Sequence, residues 1–156
     1  MSRSVRLVLI AFGVFLVQWL LLGRISLFGA VPDAVLLFVA WLSLREGRRA
    51  GVIAGFLLGF LLDATYETWG IHMFVDSLIG FLVGLFPASE RETVSIQPRQ
   101  ALIGGFVIAL AHGGLVVLFT VLDTQARSLE LLAGGWLGSA VYTGLVAYVA
   151  AQFQTR

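Results

Sequence analysis

The chain has 156 residues, 59% of them hydrophobic and only 12% charged, against roughly 45–50% and about 25% in soluble domains. A soluble fold this apolar would expose large greasy patches, which excludes a soluble enzyme, a nucleic-acid-binding module and a disordered tail. Ten basic residues, all arginine, oppose nine acids for a net charge of +1, and the absence of cysteine excludes disulfides, thiol catalysis and thiolate metal sites. The composition is that of an integral membrane protein.

A spanning helix needs about 20 mostly apolar residues, because roughly 30 Å of hydrocarbon divides into rises of about 1.5 Å. The first is predicted over 7–23, after Arg3 and Arg6. It is longer than a signal-peptide core and no small-x-small cleavage site follows, so it reads as an uncleaved first span. The second apolar run, 25–44, is interrupted by Pro32 and Asp33. Proline suits the first turn of a helix and an acid there complements the macrodipole. This predicts a short helix over 32–44, with 25–31 as an interfacial or re-entrant lead-in packed against protein.

A charged turn, Arg45-Glu46-Gly47-Arg48-Arg49, leads to a third helix over 50–63 that carries Gly51, Gly55 and Gly59 at four-residue spacing. A fourth helix, 71–86, contains Asp76 and the pair Gly80 and Gly84. Pro87 to Arg99 is the longest polar stretch. A fifth helix over 101–122 has His112 near its middle, and a sixth is predicted over 131–153. The expectation is an all-α polytopic bundle of six transmembrane helices in a single domain, 1–156. Eight of the ten arginines, including Arg91 and Arg156, fall on one face; Arg24 and Arg127 lie opposite with Asp33, Asp63, Glu67, Asp123 and Glu130. Arginine bias therefore places both termini in the cytoplasm. The loops leave no room for a soluble domain, so function must reside in the bundle or on its rims.

Small residues at i, i+4 and i+8 let helix backbones approach closely in lipid. The Gly51-Gly55-Gly59 ladder serves either packing within the chain or docking of another protein's helix. Asp76 and His112 are the polar residues deepest in apolar runs, and intramembrane ionisable groups are costly enough to suggest a site. Asp76 is expected near the outer interface, hydrogen-bonded to Arg24, Ser77 or backbone; spacing gives no evidence that it meets His112. Asp33, Asp63 and Glu67 are expected at the outer helix ends as caps and rim charge. No nucleophile, metal-ligand set or phosphate loop accompanies them, so neither catalysis nor a cofactor is indicated.

Pro32, Asp33, Leu36 and Leu37 form P-D-x-x-L-L. After the charged turn, Gly51, Gly55, Phe56, Gly59, Asp63 and Gly70 form G-x-x-x-G-F-x-x-G-x-x-x-D-x-x-x-x-x-x-G. Together they resemble the signature of MreD, the rod shape-determining membrane protein family. The resemblance implies a non-enzymatic component of the bacterial cell-elongation complex in the inner membrane. Its implied partner is MreC, a protein with one membrane span, and through it MreB filaments, a SEDS glycosyltransferase and a class B penicillin-binding protein. It also implies a fold similar to the six-helix substrate-binding subunits of energy-coupling-factor vitamin transporters. That likeness supplies the rival expectation, a vitamin-binding subunit whose pocket Asp33, Asp63, Asp76 and Trp69 would line. Shared fold is weak ground for shared function.

Overall fold

A computed structural model describes residues 2–26, 29–68, 70–86, 97–124 and 129–154, with the side chains of 4, 123–124, 129–134 and 154 left aside. Trp69, Arg91, Arg127 and Arg156 lie outside the described residues. Among the described residues the fold has six α-helices: α1 (Arg3–Leu20), α2 (Ala34–Glu46), α3 (Arg48–Tyr66), α4 (Ile71–Val83), α5 (Pro98–Thr124) and α6 (Leu129–Gln154). Their ends lie within a few residues of those expected from hydropathy. Among the described residues three segments are long and apolar enough to cross a membrane: Val5–Arg24, Arg48–Tyr66 and Pro98–Leu122. Ile71–Val83 is a shorter apolar helix.

Local chemistry sets the helix ends. Ser2 caps α1, its hydroxyl oxygen accepting the Val5 amide at 3.3 Å. Gly47 and Gly70 take φ of +82° and +93°, a region open to glycine at little steric cost. Gly47 thereby lets α3 start immediately after α2, and Gly70 lets α4 start after α3. Glu67 closes α3 with φ 57°, and its amide returns to the Asp63 carbonyl.

The beginning of α2 differs in detail from the sequence expectation. Pro32 does not enter the first turn; Asp33 is the N-cap, its carboxylate accepting the Leu36 amide at 2.8 Å. Gln18 of α1 holds this junction from both sides. Its amide nitrogen donates to the Pro32 carbonyl at 3.1 Å and its oxygen accepts the Ala34 amide at 2.8 Å. With its carbonyl held this way, Pro32 lies ahead of the cap, and the helix begins at Ala34.

Helix α2 is the centre of the bundle, touching α1, α3, α4 and α6, and Val35, Leu36 and Val39 have no exposed surface. It is apolar all round, as a helix enclosed by others must be. The closest helix pairs are α3 with α4 and α5 with α6. Arg3 pairs with Glu46, and Gly84 packs on Arg48. The start of α1, the end of α2, the start of α3 and the end of α4 therefore share one end of the bundle. The large apolar side chains left exposed, among them Val8, Phe12, Ile53 and Phe60, form the surface a bilayer would cover.

Candidate functional site

The glycine ladder faces inward. A Cβ at Gly59 would lie 2.6 Å from the His72 carbonyl oxygen, and one at Gly55 would collide with the backbone of Asp76. Gly51 and Gly80 oppose each other backbone to backbone. All three ladder positions are covered by α4, so no other helix can use that face while this packing holds. Phe56, the aromatic within the motif, points outward and is 48% exposed.

Asp63 has no exposed surface and organises the α3–α4 connection. Its carboxylate accepts the amides of Gly70 at 2.9 Å, His72 at 3.0 Å and Met73 at 3.0 Å, and the Thr68 hydroxyl at 3.0 Å. The His72 Nδ1 lies 3.0 Å from the same carboxylate. This is an anion seated at the amino end of α4, where free amides and the macrodipole both favour it. Asp63 is thus a buried structural anchor rather than a rim charge.

A second polar cluster joins three elements. Asp76 of α4 has no exposed surface, and its Oδ1 lies 2.8 Å from Nε2 of His112 on α5. The contact is off the line of an ideal hydrogen bond, and neither carboxylate oxygen of Asp76 has an aligned donor. On the other side of the ring, Nδ1 lies 3.8 Å from Oδ2 of Asp33. The three residues form a row, Asp33–His112–Asp76, and the His72 ring stands 6.2 Å from that of His112.

Asp76 therefore sits in the interior with a histidine as its ionic neighbour, where sequence reasoning expected Arg24, Ser77 or backbone near a wet interface. The Ser77 hydroxyl is committed to the Met73 carbonyl at 2.6 Å. Asp33 is interior for a related reason. Its amide donates to Thr143 Oγ1 at 3.0 Å, and Thr143 stands near the middle of α6. The cap of α2 thus meets the middle of α6, while Gln18 beside it stands near the end of α1.

A cavity of about 320 Å³ opens beside this row. Asp33, His112, Tyr66, Trp136, Ser139 and Thr143 are among its walls. Asp63 is not among them, and Asp76 stands behind His112. Sequence reasoning missed Gln18, Thr68, His72, Ser139 and Thr143. Gln18 carried a signal, as the one strongly polar side chain inside the first apolar run. Among the described residues no group of three His, Asp or Glu side chains is arranged to hold a metal ion.

A larger, apolar groove of about 460 Å³ lies between α1, α2, α5 and α6. Gly104, Gly105, Ala147, Ala150 and Ala151 contribute to its lining, opposite Ile10 and Val14. A Cβ at Gly104 would meet nothing within 4 Å.

Fold and composition define an all-helical membrane protein with a buried polar row. Residues 2–124 match the family model of the rod shape-determining protein MreD. The chain belongs to the MreD family, and with it to the system that determines rod shape. No curated protein and no solved structure matches it significantly.

Proposed function

We propose that the protein is a non-enzymatic scaffold of the cell-elongation complex in the bacterial inner membrane. In this reading it holds the single membrane helix of an MreC-like partner. The six-helix bundle sits in the bilayer as one domain, 1–156, with both termini cytoplasmic. The partner links it to MreB filaments, a SEDS glycosyltransferase and a class B penicillin-binding protein, and so to peptidoglycan synthesis along the cell side. No nucleic acid takes part.

The observation that carries this reading is the apolar groove between α1, α2, α5 and α6. Association of helices in lipid depends on close packing, which small residues allow. The ladder of α3 is engaged by α4, whereas Gly104 faces open space. The groove is therefore where an added helix could approach the backbone. Arginine-rich sequence at the bundle end formed by Arg3, Arg45 and Arg48 supports a cytoplasmic assignment for that end.

Affinity purification of the tagged chain from native membranes in mild detergent, followed by protein identification, tests the reading. Recovery of an MreC-like protein with wall-synthesis enzymes is the expected result. Recovery of ATPases with a membrane coupling subunit would overturn it in favour of a vitamin-binding transporter subunit.

A further inference from the structure

The cavity beside Asp33 gathers more acidic than basic side chains, since the second histidine of the cluster, His72, is held by Asp63. Two carboxylates, Asp33 and Asp76, flank one imidazole, and His112 carries at most a single positive charge. Its Nε2 lies nearest Asp76, at 2.8 Å, while Asp33 Oδ2 stands farther from the ring, at 3.8 Å. The Asp33 side chain is 22% exposed, whereas Asp76 is fully enclosed. Among the described residues, no arginine lines the cavity. An anionic oxygen left in a low-dielectric interior is costly unless a cation or a proton joins it.

The other walls suit a particular cation. Ser139 and Thr143 stand one turn apart on α6 and accept the Val31 and Asp33 amides, each at 3.0 Å. A hydroxyl oxygen has a second lone pair, so each can accept once more. With Asp33 Oδ2 these make three acceptors, the number of donors on a primary ammonium group. Tyr66 and Trp136 are also among the walls, and aromatic rings attract cations through the ring quadrupole. At about 320 Å³ the space falls at the small end of ligand sites, roughly 300–1,000 Å³.

We propose that this cavity is a binding site for a primary ammonium group, held by Asp33 with Ser139 and Thr143. The ammonium comes from a free short-chain amine or from the ethanolamine head of a phospholipid. The inference stands on the cavity alone and is independent of the scaffold reading.

The test uses the full chain in nanodiscs of phosphatidylcholine and phosphatidylglycerol, titrated with n-butylammonium, n-butanol or butyrate. Tryptophan fluorescence and melting temperature are followed together. A saturable response to butylammonium, absent with butanol and butyrate, is expected. Asn caps helices as well as Asp does, so Asp33→Asn keeps the start of α2 while removing the charge. It should weaken binding about tenfold or more, the loss of one charge-assisted contact. Gly135→Val is the second variant. A Cβ there meets only the Gly29 carbonyl oxygen, at 3.6 Å, and the added bulk narrows the cavity without touching Asp33. It too should weaken binding.

No saturable response, an equal response to butanol, or wild-type binding by both variants would overturn the proposal. Repeating the titration in discs containing phosphatidylethanolamine separates the two sources. A shift to higher amine concentration assigns the site to the lipid head, and an unchanged curve assigns it to free amines.

Discussion

Asp63 accepts the backbone amide of Gly70 at 2.9 Å, so the two residues that close the sequence signature are bonded to each other. The six residues between them are the length of a turn that folds the start of α4 back onto the end of α3. Aspartate supplies the acceptor, and glycine supplies the φ of +93° that aims its amide inward.

Asp63→Ala is therefore expected to destabilise the protein by about 3 kcal/mol or more, because several buried donors lose their acceptor together. Asp63→Asn keeps one acceptor oxygen and should cost less. Gly70→Ala should cost about 1–2 kcal/mol through left-handed strain alone. Melting of the three purified variants in detergent checks the order.

The ladder gives a contrast between two glycines. A Cβ at Gly55 meets the Asp76 and Ser77 backbone, which cannot rotate away as a side chain can. Gly55→Ala should cost about 1–3 kcal/mol by forcing α3 and α4 apart. Gly104→Ala meets nothing and should remain within about 1 kcal/mol of wild type. Equal melting temperatures for the two variants would contradict the packing described for α3 and α4.

His112 and Asp76 should behave as a unit. His112→Leu leaves a fully buried carboxylate without its ionic neighbour and is expected to cost about 3–5 kcal/mol. Adding Asp76→Leu removes the stranded group, so the double variant should recover part of that loss. A double-mutant cycle that sums to simple additivity would mean that the contact contributes nothing.

Partner recovery should depend on the groove. Gly104→Leu fills space that is open in the isolated chain, so it should leave melting near wild type while lowering recovery of an MreC-like partner severalfold. Full recovery from this folded variant would move the docking surface elsewhere.

The sequence carried the helices more plainly than the contacts between them. Long apolar runs bounded by Gly47, Gly70 and Pro98 announce their own ends. The interruption at Pro32 and Asp33 showed that α2 would be short. What hydropathy does not encode is rotation about a helix axis. Asp76 and His112 lie on different helices separated by a long polar stretch, and their meeting depends on how α4 and α5 turn toward each other. The occupant of the glycine ladder was open for the same reason, since a stripe of small residues says that something approaches closely without saying what. Gln18 was legible only as an oddity, because its two bonds, to the Pro32 carbonyl and the Ala34 amide, are set by tertiary placement.

The length of α2 also bears on how the protein enters the membrane. A helix of 13 residues rises only about 20 Å, short of the roughly 30 Å of hydrocarbon, and its capped start is held against the middle of α6. Such a segment is a poor substrate for insertion by itself. It must be received by α1, whose Gln18 satisfies the backbone at its start, and by the α3–α4 pair that encloses its sides. During synthesis, α2 is therefore the segment that waits for its neighbours, and early truncations ending soon after Glu46 should leave it outside the lipid.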